Sequence, residues 1–189
     1  MIRQIFALIS VIFVAGCSQP SYDIQGAPLM PDQAVVFDID GTLTPKPIAI
    51  YSAREDAAQA AQLYAQAGYK IVYLSARTPL LQSGIPKWLK ANGFPEGSIH
   101  LTQSRADRSD HAAFKQRVLQ QYAAKGWHFV AAYGDSSTDF VAYGGAGIDK
   151  RRIFALKRVG QAECQPGGWV ACYSSWAEQL ESIVALLRP

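Results

Sequence analysis

From residue 34 onward, short apolar runs alternate with stretches whose apolar positions recur at helical spacing. Ala34–Ile39 (AVVFDI) has the length and β-branching of a buried strand. Ser52–Gln66 is Ala-rich and predicts a helix stopped by Gly68. Lys70–Leu74 (KIVYL) reads as a second strand, Pro86–Asn92 as a helix ended by Gly93, and Ser98–Leu101 as a brief third strand. Asp110–Lys125 predicts a helix with Asp110 as its N-cap and Gly126 as its stop. Trp127–Tyr133 is a fourth strand, Ser137–Tyr143 a short helix, Arg152–Leu156 a fifth strand, and Ser174–Leu187 a closing amphipathic helix. Strict alternation of this kind predicts an α/β three-layer sandwich around a mostly parallel sheet of about five strands. In such sheets ligands bind at the carboxyl ends of the strands, which directs attention to the residues just after each one.

The first 33 residues break the pattern. Arg3 is the sole charge of residues 1–16, Ile5–Val14 is wholly apolar but for Ser10, and Ala15 and Gly16 follow. That run is too short to cross ~30 Å of hydrocarbon as a helix, so it reads as an export signal. Val14-Ala15-Gly16-Cys17 resembles the lipobox of bacterial lipoproteins, which implies cleavage before Cys17 and a diacylglycerol on its thiol. Ser18 after the cysteine resembles the outer-membrane sorting pattern of Gram-negative lipoproteins, hence a periplasmic, envelope-bound protein. Residues 17–33, rich in Pro and Gly, read as the lipidated N-terminus and a flexible tether, and residues 34–189 as one domain.

Composition narrows the class. The chain has 189 residues, 49% hydrophobic and 17% charged, enough for one well-formed core. A net charge of +3, scattered along the sequence, does not predict a nucleic-acid partner. Three cysteines are too few for a disulfide-built miniprotein. With Cys17 lipidated, Cys164 and Cys172 remain as a pair around a Pro-Gly-Gly loop, and an exported setting favours a disulfide over two free thiols.

The strand ends carry the chemistry. Strand one ends in Asp38-Ile-Asp40-Gly41-Thr42, strand two in Ser75-Ala76-Arg77, and strand four in Gly134-Asp135-Ser-Ser-Thr-Asp139. Lys115 lies on the helix leading into strand four. Carboxylates converging on one cleft repel one another, so a divalent cation or protonation must offset them, and an oxygen-only donor set suits Mg²⁺.

Together these residues resemble the haloacid dehalogenase (HAD) phosphohydrolases, over Ala34–Leu156. The resemblance implies Asp38 as nucleophile, Asp40 as general acid and base, and Ser75 and Lys115 as groups on the phosphoryl oxygens. It implies Mg²⁺ held by Asp38, the Asp40 backbone carbonyl and Asp135, with Asp139 as ligand or support. Gly41, Thr42, Ala76 and Arg77 complete the expected phosphate cradle, Arg77 either gripping phosphate bidentately or forming a strand-end salt bridge. The fuller runs Asp38-Ile-Asp-Gly-Thr-Leu-Thr, Tyr73-Leu-Ser-Ala-Arg77, Phe114-Lys115 and Arg152-Ile-Phe154 resemble the catalytic domain of lipins, the Mg²⁺-dependent phosphatidate phosphatases. They also resemble the related phosphatidate-binding (LNS2-type) domains of phosphatidylinositol-transfer proteins, which lack the second aspartate that this chain keeps as Asp40. At Asp135 this chain has an acid where lipins tend to carry Asn.

Only 36 residues separate Asp38 from Ser75 and 39 separate Ser75 from Lys115, and predicted helices and strands use most of them. No cap domain of ~50 residues fits, so the cleft is expected to be open, screened by the Pro45-Lys46-Pro47 flap. An open cleft suits a membrane-borne substrate, giving hydrolysis of phosphatidate or a related lipid monoester as the leading expectation. Scavenging of soluble monoesters such as nucleotides and sugar phosphates is the alternative, and non-catalytic binding of anionic lipid the third.

Overall fold

A computed structural model describes residues 22–187; the expected export signal and the expected lipidation site Cys17 lie outside the described residues. Six strands form one sheet in the order β3-β2-β1-β4-β5-β6, and every neighbouring pair is parallel. The strands are β1 (Gln33–Asp38), β2 (Lys70–Ser75), β3 (Ser98–Leu101), β4 (His128–Gly134), β5 (Ile153–Leu156) and β6 (Ala171–Tyr173). The helices are α1 (Ala57–Gln66), α2 (Ile85–Ala91), α3 (Arg105–Ser109), α4 (His111–Ala124), α5 (Ser137–Gly145) and α6 (Trp176–Leu187). One face of the sheet packs on α1, α2 and α6 through Phe37, Tyr73, Tyr133 and Trp176. The other packs on α4 and α5 through Val36, Leu74, Phe114 and Tyr143. Both faces are covered, as the near-continuous apolar runs require.

The sixth strand was not expected: three residues at the sheet edge, paired with β5, carry too little apolar pattern to stand out. Within β6, Cys172 is joined to Cys164 by a disulfide with 6.0 Å between Cα atoms. It closes a loop of eight residues' separation, which stabilises by about 2–3 kcal/mol in the chain-entropy account. Replacing both cysteines by serine is therefore expected to lower the melting midpoint by about 5–10 °C in scanning fluorimetry. A midpoint unchanged by the double replacement would mean that the edge strand holds without its crosslink.

Two further expectations are corrected. The tether is not free chain as far as residue 33, because Tyr22 and Ile24 are buried against the α4 side of the core. The Tyr22 ring meets His100 and Phe114 edge-on, and Ala27 N–H donates to the Lys125 carbonyl at 2.9 Å. Isolated apolar residues in a polar stretch, with no period of their own, hide such docking. Helix α1 starts at Ala57, not Ser52, because Arg54 is drawn inward. Its guanidinium donates to the carbonyls of Gly41 (3.1 Å), Lys157 (2.8 Å) and Ser174 (3.2 Å), which ties three loops together beneath the cleft.

No independently folded insertion interrupts the described residues. The chain passes from β1 to α1 in turns, and from β2 to β3 through a 3-10 turn at Pro79–Leu81 and α2. The sheet order reverses direction at β1, whose two neighbours are β2 and β4. The crevice at that switch point is the expected ligand site.

Candidate active site

Asp38 closes β1 with its side chain buried, and the backbone then turns sharply. Leu43 and Thr44 both donate to the Ile39 carbonyl at 3.0 Å, which requires a left-handed residue inside the turn. Gly41 supplies it at φ 97°, and a Cβ there would also collide with the Asp135 carboxylate. The glycine of the motif thus lets the β1 and β4 loops approach each other. The Thr42 hydroxyl donates to Asp38 Oδ2 at 2.9 Å and fixes that carboxylate's rotation.

From β4, Asp135 and Asp139 reach the same point. The α5 N-terminus is built by a capping box in which Ser136 accepts from the Asp139 backbone N–H. Asp139 Oδ2 accepts from Ser136 N (3.0 Å), Ser136 Oγ (2.7 Å) and Asp135 N (3.2 Å). Its Oδ1 accepts from Lys115 Nζ at 2.5 Å, and the same ammonium donates to Asp38 Oδ1. Asp38, Asp135 and Asp139 each offer an oxygen within 4.8 Å of the others, all buried. That donor set fits a hard divalent cation. Asp139 also secures Lys115 and the helix start.

The electrostatics follow from this crowding. Burial, with Asp139 and then Asp135 and Asp40 adding to it, raises the Asp38 carboxyl above the ordinary range against the opposing pull of Lys115. Burial and Asp139 push Asp135 up to about 6. Burial alone would lower Lys115, but the carboxylates of Asp139 and Asp38 outweigh it and push the ammonium higher still. Lys115 therefore stays charged.

Asp40 stands apart from that trio. Its Oδ2 accepts from Ser75 Oγ at 2.6 Å and its Oδ1 from Arg77 Nε at 2.6 Å. Ser75 is fully buried, so its hydroxyl faces Asp40 and not the cavity in which a phosphoryl group was expected to meet it. Arg77 is likewise held: Nε is committed to Asp40, Nη2 is buried without a partner, and the guanidinium lies 6.0 Å from the Trp88 ring centroid. Of the two expectations for Arg77, the strand-end salt bridge is formed, on Asp40, while its Nη2 has no partner and the residue borders the cavity. Arg77→Lys is accordingly expected to lower kcat about 10–100-fold with little change in KM, because it unseats Asp40, the carboxylate expected to serve as acid and base. A rise in KM at constant kcat, measured on a soluble monoester, would restore the phosphate grip.

These groups border one open cavity of about 340 Å³, lined by Asp38, Asp40, Ala76, Arg77, Lys115 and Asp135. Gly41 and Thr42 support it from below without lining it. Two residues that sequence reasoning missed are Arg54 and Arg158. Arg158 follows β5, borders the cavity and contacts Asp135 through Nε. Its signal in the sequence is its place two residues past the fifth strand, at the end of the sheet where ligands bind. His100 is buried on the Tyr122 hydroxyl at 2.8 Å, and His128 pairs with Asp32, so neither enters the site.

Residues 35–157 match the family model "PITM 1-3, LNS2 domain". Drosophila melanogaster Protein retinal degeneration B is 29% identical over 140 residues, 68% of this chain and 10% of its own. Human Membrane-associated phosphatidylinositol transfer protein 1 is 28% identical over 149 residues, 74% of this chain and 12% of its own. Human Phosphatidate phosphatase LPIN3 is 29% identical over 183 residues, 84% of this chain and 21% of its own. The match thus spans a tenth to a fifth of each relative. Among solved structures, D,D-heptose 1.7-bisphosphate phosphatase from B. bronchiseptica, complexed with magnesium and phosphate, superposes with a TM-score of 0.54 at 18% identity, covering 79% of this chain and 98% of that one. The cobalt-bound deoxy-D-mannose-octulosonate 8-phosphate phosphatase from Haemophilus influenzae gives 0.51 at 17% identity, covering 82% and 88%. Both share the HAD-like fold.

Proposed function

This chain belongs to the LNS2 domain family, and from that premise we propose that it hydrolyses phosphate monoesters through a phosphoryl-aspartate, with phosphatidate or a related phospholipid monoester as substrate. The observation that carries the reading is the division of labour between Asp38 and Asp40. Both border one cavity, yet the first belongs to a cation-competent acid cluster and the second is clamped separately by Ser75 and Arg77. Two carboxylates in different environments are what a nucleophile and an acid–base partner require.

In the proposed reaction an Asp38 oxygen attacks phosphorus while the ester oxygen leaves with a proton from Asp40. Asp40, now anionic, takes a proton from water, whose oxygen attacks the phosphoryl-aspartate, releasing inorganic phosphate and regenerating Asp38. Lys115 holds Asp38 in place and offsets charge on the phosphoryl oxygens. Asp38 and Asp135 would hold a divalent cation, Mg²⁺ in this proposal, which would supply the remaining neutralisation of an anionic nucleophile facing an anionic substrate.

The cavity mouth supports a lipid substrate. Pro47, Ile50 and Leu81 line it, and the adjoining Ile48 and Leu80 are 88% and 92% exposed. A head group fits within about 340 Å³ while acyl chains stay outside along that rim. A lipid on Cys17, followed by chain that is docked from Tyr22 onward, would keep the domain at the envelope surface and accords with such a substrate. The test is phosphate release by the full chain from phosphatidate in mixed micelles and from soluble monoesters, with and without EDTA. Mg²⁺-dependent release with the higher kcat/KM on phosphatidate is expected. Higher kcat/KM on soluble monoesters replaces the lipid reading with scavenging, and no release from either defeats the hydrolase reading.

A further inference from the structure

Three permanent cations border the cavity, and two of them are immobilised. Lys115 is buried between Asp38 and Asp139, and Arg77 is locked on Asp40. Arg158 differs. Its backbone neighbourhood is pinned: Lys157 N–H donates to the Tyr173 carbonyl at 2.8 Å, Arg54 grips the Lys157 carbonyl, and Val159 N–H donates to the Pro45 carbonyl at 3.2 Å. Its side chain, by contrast, is 31% exposed and reaches the 1%-exposed Asp135 carboxylate through Nε. A long side chain on a fixed backbone can change its partner without moving the fold.

Asp135 is also one of the acids suited to hold a divalent cation, and one carboxylate cannot fully serve both charges. We propose that Arg158 is an exchangeable cation: it neutralises Asp135 until a divalent ion takes that carboxylate, and its guanidinium then turns into the cavity to bind the phosphoryl oxygens of the substrate. The phosphate half of this exchange rests on the hydrolase reading above, and the metal half does not. The guanidinium fork matches a phosphoryl group bidentately, whereas Lys115 has no fork and Arg77 already has its Nε on Asp40. By linkage, metal then strengthens phosphate binding and phosphate strengthens metal binding by the same factor.

Calorimetry on the full chain reads both halves, titrating Mg²⁺ alone and then inorganic phosphate into the Mg²⁺-saturated protein. Arg158→Gln removes the competitor, so its Mg²⁺ affinity is expected to rise at least about threefold while its phosphate affinity falls about tenfold. Arg158→Lys keeps the charge without the fork; Mg²⁺ affinity should match the unsubstituted chain, with phosphate binding weakened. Equal melting midpoints in EDTA, expected for a partly exposed position, establish that all three chains are folded. Mg²⁺ affinity in Arg158→Gln that is unchanged or weaker overturns the exchange, whatever the turnover. The expected Mg²⁺ and phosphate shifts in a chain that releases no phosphate from any monoester uphold the exchange and overturn the hydrolase reading alone.

Discussion

Asp38→Asn is expected to reduce phosphate release at least about a thousandfold without unfolding the protein. The amide keeps the shape of the carboxyl group but offers no anionic oxygen to form the phosphoryl-aspartate. Stability should not fall with activity. Asp38 is buried 2.9 Å from the Thr42 hydroxyl and among carboxylates that raise its pKa, so its charged form is held at a cost. Lys115 retains Asp139 as a partner in the variant. A melting midpoint equal to or above that of the unsubstituted chain in EDTA, alongside lost turnover, is the expected pair of results. Residual turnover above a few per cent would show that another group attacks phosphorus.

The legible parts of the fold were those with strong local signals. β1, β2 and β4 are apolar on both faces because helices cover both, and their sequences say so without reference to the rest of the chain. The capping residue Asp110 was legible for the same reason: its side chain accepts from Ala113 N–H three residues on, within one turn. α3 has a comparable local signal, Ser104 and Asp107 forming a capping box, but only five residues of helix follow it, too few to show a period. β6 and the docking of Tyr22 depend on distant partners and leave no periodic trace.

The site divides along the same line. Asp38, Asp40, Asp135 and Asp139 are marked by spacing in short motifs at strand ends, and the structure brings them to one crevice. What each one touches was not legible. That Ser75 and Arg77 converge on Asp40 depends on how β2 sits beside β1, with Asp38 level with Leu74. Arg54 was hidden inside an expected helix, because its inward turn is set by carbonyls more than a hundred residues away as well as by Gly41.

Lys115→Met should cost both activity and stability, and the stability loss should depend on pH. Among the described residues Lys115 is the buried cation paired with both Asp38 and Asp139, and methionine fills its volume without its charge. Breaking a buried pair from one side costs about 3–5 kcal/mol, because the remaining charge is left uncompensated. In a chain of this size that corresponds to a midpoint lowered by about 10 °C or more. The carboxyls have an escape, since burial already raises Asp38 and pushes Asp135 up to about 6. Without Lys115 they rise further and bind protons in the folded state at pH values where the unfolded chain has released them. Stability then falls as pH increases from the unfolded carboxyl value through the raised folded ones. The gap between Lys115→Met and the unsubstituted chain should therefore be small near pH 5 and wide near pH 8, in EDTA. Mg²⁺ should narrow it at pH 8 by restoring positive charge among the same oxygens. Turnover should fall at least about a hundredfold at either pH, since the charge that Lys115 holds between Asp38 and the phosphoryl oxygens is lost. A midpoint gap that is the same at pH 5 and pH 8 would mean that the acids carry no strain for Lys115 to relieve, and its place in the site would be one of packing alone.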